Sequence, residues 1–174
     1  MDDSKLADLY EALKNFCEQI YQVRVYDETN LRNLFNVFSE ILKKAWFLPI
    51  VYMDRDVKNT IDNLIDKLYS EMATDSPTYH LHHVFSGTGF NMDFDKLKNI
   101  DGIGNLVYGP YTAILDMYSG VTNGMMLYEH GYTEYALLYW SQGFRYHWNW
   151  HTRDAIYNIH KMFQILSNRD PQQN

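Results

Sequence analysis

Apolar residues return at three- and four-residue steps along most of this chain, a period that commits it to helices. Leu6, Leu9, Leu13, Phe16, Cys17 and Ile20 form the first stripe, behind Asp3 or Ser4 as cap, and predict a helix over residues 4–24. Tyr26-Asp27-Glu28-Thr29 reads as a turn and a second cap. Leu31, Leu34, Phe35, Phe38, Ile41, Leu42, Ala45 and Trp46 follow as a helix over 30–47. Pro49 ends it, because proline has no N–H to continue the ladder. Asp54 or Asp56 caps a third helix over 56–74, carrying Val57, Ile61, Leu64, Ile65, Leu68 and Met72 and closed by Asp75-Ser76-Pro77.

The period fades over residues 77–104, which Gly87, Gly89, Gly102 and Gly104 interrupt; a short helix near Phe94–Ile100 is expected there. Pro110 suits the first turn of a fourth helix over 110–129, with Ile114, Met117, Tyr118, Val121 and Met125 as its stripe and Gly131 as its stop. Gly120 and Gly124 weaken that helix or let another come close. A last helix over 133–166 runs through Leu137, Trp140, Phe144, Trp148, Ala155, Ile159 and Phe163, with Gly143 as the place for a bend. No strand alternation and no internal repeat stands out. The expected architecture is all-α: an antiparallel bundle of about five helices, one domain over residues 1–174.

Composition narrows the function classes. Hydrophobic residues at 46% and charged residues at 21% exclude a disordered chain. The formal charge is −7, with acids concentrated in the first half. Such a surface repels phosphate backbones, so no direct nucleic-acid partner is expected, and it favours encounter with a basic protein. Fifteen tyrosines offer stiff contact area, which points the same way. Cys17 stands alone, so there is no internal disulfide; on an apolar stripe it is expected to be buried and inert. Met1-Asp2-Asp3-Ser4 lacks a secretory pattern and no apolar run approaches the roughly 18 residues of a membrane span, so the expected address is cytoplasmic, with no membrane partner.

The chemically richest segment is Phe144–Asp154. His147 and His151 are four apart on one helical face, and Asp154 continues it. Two imidazoles and a carboxylate at this spacing can grip a transition metal, but Trp148 follows His147 where a His-Glu-x-x-His motif needs glutamate. A hydrogen-bonded structural cluster is the competing reading. Trp148 and Trp150 lie about 200° apart around a helix, so one is expected in the core and the other, Trp150, outside. His80, His82 and His83 form a second group in the irregular region. Asn99-Ile100-Asp101-Gly102 fails as a calcium loop, since Leu97 and Tyr108 take its end positions, and Gly102-x-Gly104 lacks a third glycine. No phosphate loop, serine elbow or kinase set is present, and no cofactor is expected.

Trp140, Phe144, His147-Trp148, His151, Ala155 and His160, with Asp116-Met117-Tyr118 upstream, resemble the C-terminal signature of a bacterial all-helical family known only as a domain of unknown function. The likeness covers about the last 65 residues and departs at Asn149, where that family tends to have glycine. It implies a helical fold and no activity. It also implies a buried polar cluster of Asp116, His147, Trp148, His151 and His160, whose aspartate would contribute about 1–3 kcal/mol.

In general character the chain is similar to immunity proteins that neutralise basic bacterial toxins. The first expectation is therefore a non-enzymatic protein-binding domain, with Asp62, Asp66, Tyr79, Asp93, Asp95, Trp150 and the 85–104 stretch as its surface. The alternatives are a metal-dependent enzyme or sensor on His147, His151 and Asp154, and a homo-oligomeric scaffold visible as a homodimer.

Overall fold

The structure, a computed structural model, describes residues 3–22, 25–72 and 93–168; Tyr79, His80, His82, His83, Gly87 and Gly89 lie outside the described residues. It is an all-α bundle. Helix α1 spans Asp3–Gln22, α2 Glu28–Ala45 and α3 Arg55–Glu71; α4, Asp95–Lys98, is a single turn. Helix α5 spans Tyr108–Glu129 and α6 Thr133–Gly143; a π-helical turn, Phe144–Trp148, leads into α7, Asn149–Ser167. Among the described residues the one extended pairing is an isolated bridge between Val25 and Asp93, fastened by the Tyr26 N–H donating to Asp93 O at 2.8 Å.

Local chemistry sets the helix ends. Asp27 Oδ1 accepts the Asn30 N–H at 3.0 Å and Asp54 Oδ1 accepts the Val57 N–H at 2.8 Å, so each satisfies an amide that has no partner inside its helix. Asp54, rather than Asp56, is thus the cap of α3. Lys43 and Lys44 occupy the last turn of α2, where the helix dipole favours cations. Gly131 ends the passage from α5 with φ +81°, a left-handed conformation that glycine adopts without a Cβ clash.

Helix α5 is buried on most of its circumference and forms the axis of the bundle. Its partners descend in number as its own residues ascend. Gly109 meets Asn158, Asp116 meets His151, Gly120 meets Trp148 and Gly124 meets Trp140, so α6 and α7 run antiparallel to it. Cys17 Sγ, fully buried on α1, lies 3.8 Å from Met125 Sδ, and burial pushes its thiol well above the usual range. On α1 and α2, Phe16 and Phe38 pack at 5.9 Å, and Phe35 touches Phe163 of α7. These contacts belong to one continuous hydrophobic cluster.

The sequence predicts one helix from 133 to 166, bent at Gly143. Instead the chain passes directly after Gly143 into the π turn, where the Asn149 N–H reaches back five residues to Phe144 O. Such a turn accommodates one extra residue and is frequent at functional sites. Trp148 is 1% exposed and Trp150 is 73% exposed, the division expected from their angular separation.

A candidate metal site between α5 and α7

The π turn and the start of α7 place His147 and His151 one above the other, ring centroids 5.0 Å apart and nearly perpendicular. From the facing side of α5, Asp116 Oδ2 lies 3.3 Å from His151 Nε2. One ligand atom from each of Asp116, His147 and His151 falls within 4.8 Å of the other two. For ligands about 2.1 Å from a tetrahedral ion, neighbouring donor atoms stand about 3.4 Å apart. The Asp116–His151 pair has that spacing, and His147 offers a ring nitrogen within 4.8 Å of both. The cluster is half exposed: the Asp116 and His151 side chains are 37% and 30% accessible.

Beside it lies a pocket of about 240 Å³ walled by Asp116, His147 and Trp148, by Asp62 and Lys58 of α3, and by Tyr139 and Gln142 of α6. A glycine shapes it. A Cβ on Gly143 would stand 2.5 Å from Trp148 Nε1, so the indole packs against that backbone where another residue would hold it off, while a Cβ on Gly120 would meet Trp148 Cδ1 at an ordinary contact distance of 3.6 Å. Trp148 Nε1 is buried there with no hydrogen-bond partner among the described residues. Thr152 Oγ1, buried behind it, donates to Trp148 O at 2.6 Å and so secures the exit from the π turn.

The polar groups of the wall are oriented from behind. Tyr69 of α3 donates to Asn123 Oδ1 at 2.9 Å, and Asn123 Nδ2 donates to the Tyr139 hydroxyl oxygen at 3.0 Å. Burial pushes the Tyr69 hydroxyl well above its ordinary range, so it keeps the proton with which it donates. Gln142 Oε1 accepts the Met53 N–H at 3.4 Å, which turns the amide NH₂ away from that contact. Lys58 and Asp62 form an ion pair whose hydrogen bond raises the ammonium pKa.

The remaining sequence candidates are dispersed. Asp154, expected to complete the histidine face, instead accepts a hydrogen bond from Asn158 Nδ2 at 3.1 Å, and Asp116 supplies the carboxylate. His160, grouped with the cluster on resemblance, is exposed and pairs with Gln164 at 3.2 Å. Asp66 is exposed on α3. Asp93 Oδ1 accepts the Asp95 N–H at 2.7 Å, and Asp95 pairs with Lys98. A wider depression of about 520 Å³ lies beside these last residues, at Phe94 and Tyr108, but among the described residues no set of metal-ligating side chains converges there. Lys58, Asn123, Tyr139 and Gln142 carry no spacing signal, since their meeting depends on how three helices pack.

Compared with protein-family models, with curated proteins and with solved structures, the chain matches none.

Proposed function

We propose that this chain is a metalloprotein that holds one divalent first-row ion on Asp116, His147 and His151. The convergence of three ligand atoms from two helices, at the mouth of a pocket, carries the reading. Imidazole nitrogens with a carboxylate suit zinc, iron(II), manganese(II) or cobalt(II). Three protein ligands leave coordination positions open, and Asp116 and His147 both face the pocket. An ion held there would polarise a bound ligand or lower the pKa of a bound water, which is the business of a metal-dependent enzyme or sensor. Metal-stripped protein titrated calorimetrically with zinc, manganese and cobalt salts is expected to take up one ion per chain with a Kd of about 1 μM or tighter. Absence of saturable uptake by any of the three at about 100 μM would refute the site.

A second reading, protein binding, has one observation in its favour. Trp46, Ile50 and Tyr52 are 67%, 77% and 85% exposed within one short segment. Arg145 of the π turn braces that segment, donating from Nη2 to Leu48 O at 2.7 Å with its guanidinium 6.0 Å from the Trp46 ring. Aromatic side chains held in place at a surface are the usual anchors of an interface. Affinity capture from host extract should recover a stoichiometric basic protein that disappears with Trp46→Ala plus Tyr52→Ala; an unchanged haul from that variant counts against the reading.

A further inference from the structure

Resting on the metal reading above, we infer that the pocket beside Asp116 and His147 receives a small monoanionic carboxylate, which binds the ion through its open positions and takes a hydrogen bond from Tyr139. Three features of the wall point to this ligand class.

The first is donor excess. Tyr139 already accepts from Asn123, so the proton of its own hydroxyl is left for the pocket. The carbonyl of Gln142 is taken by the Met53 N–H, which leaves its amide protons as the group to offer. Trp148 Nε1, buried against Gly143 without a partner among the described residues, adds a third N–H dipole behind the wall. The ligand that satisfies such a wall carries acceptors.

The second is charge. Asp62 and Asp116 bring two formal negative charges and Lys58 one positive, a sum of −1; a divalent ion turns it to +1. A monoanion neutralises the loaded site, whereas a dianion overshoots it. Charge gathered beyond neutrality repels even where water reaches the site, so the monoanion is preferred.

The third is size. A pocket of about 240 Å³ is below the usual range for drug-sized ligands and suits a molecule of a few heavy atoms.

The roles separate by residue. His147, His151 and Asp116 hold the ion. Tyr139 contacts the ligand, and Asn123 and Tyr69 position it by fixing which lone pair of its oxygen is occupied. The Tyr139→Phe change removes only the hydroxyl, and the ring remains to keep α6 packed.

Cobalt(II) provides a readout that needs no turnover, because its visible absorption changes when an exogenous ligand coordinates. Acetate titrated into the cobalt-loaded protein is expected to shift those bands saturably below about 10 mM. In Tyr139→Phe the acetate Kd should rise about tenfold or more, the loss of one hydrogen bond to a charged group, while cobalt affinity stays within about twofold. Tyr157→Phe, at an exposed tyrosine outside the pocket wall, should change neither. Cobalt uptake with no response to acetate, or an acetate Kd unmoved by Tyr139→Phe, overturns this inference and leaves the metal site standing. Inorganic phosphate binding more tightly than acetate overturns the monoanion assignment. Failure to bind cobalt removes the metal reading and this inference with it.

Discussion

Asp116→Ala is expected to weaken binding of a divalent ion by at least about 100-fold, since even supporting residues around a metal commonly contribute 10–100-fold. Asp116 is the only one of the three ligands that α5 contributes, and the two imidazoles left on one helical face fill at most half of a coordination shell. The same change should cost little stability. Asp116 and His151 are 37% and 30% accessible, so their pairing is screened by water and belongs with surface ion pairs at about 0–1 kcal/mol. This corrects the expectation of a buried cluster worth about 1–3 kcal/mol, which assumed that imidazole donors would be stranded away from solvent. The contrast is the test. Metal stoichiometry by native mass spectrometry should collapse while the urea midpoint barely moves. A large stability loss with wild-type metal uptake would mark the cluster as a structural network. Asp116→Asn, which keeps the shape and removes the charge, should fall between wild type and alanine.

Trp140→Ala is expected to cost about 3–5 kcal/mol, the range for emptying a buried indole site. Trp140 is fully buried, packs 6.0 Å from Tyr128, and donates from Nε1 to Val121 O at 3.3 Å. That bond to a helix carbonyl exists because Gly124 has no Cβ: one placed there would stand 2.1 Å from Nε1 and 2.5 Å from Cδ1. Gly124→Ala should therefore destabilise by about 1–3 kcal/mol as overpacking, even though alanine in a helix interior is intrinsically better than glycine by about 1 kcal/mol. The two costs are not additive. In the Trp140→Ala background the added methyl enters the vacated space, and Gly124→Ala should become neutral or stabilising. Urea denaturation of the four proteins closes this cycle. An alanine at 124 that stabilises the wild-type background would show that the indole does not lie on the α5 backbone.

Much of the fold is legible one stripe at a time. Leu31, Leu34, Phe38, Ile41 and Ala45 recur with the helical period and are five of the six residues α2 buries, Val37 being the sixth. The angle between Trp148 and Trp150 alone separates a core side chain from an exposed one. The glycines gave a partial signal. Gly120 and Gly124 invite close approach by another helix, but nothing in the spacing says that the visitors are Trp148 and Trp140. The π turn was hidden for a different reason. One extra residue rotates everything after it by about 100°, and near a glycine an apolar pattern reads equally well as a bend.

The candidate site divides along the same line. His147 and His151 were visible as a pair because four residues of helix return to the same face, an interaction short enough for the sequence to hold on its own. Asp154 has the right spacing to join them, yet its carboxylate binds Asn158 on its own helix. Asp116 has no spacing relation to either histidine. It arrives because α7 packs antiparallel on α5, in a register that also sets Gly109 against Asn158. The Tyr69–Asn123–Tyr139 relay likewise draws on three helices. The sequence by itself therefore determined the helices, their inward faces and half of a ligand set, because these follow from neighbours within one turn. Which carboxylate faces the histidines, and which donors wall the pocket, was decided only by tertiary packing, where interhelical distance and register depend on side-chain volumes far apart in the chain.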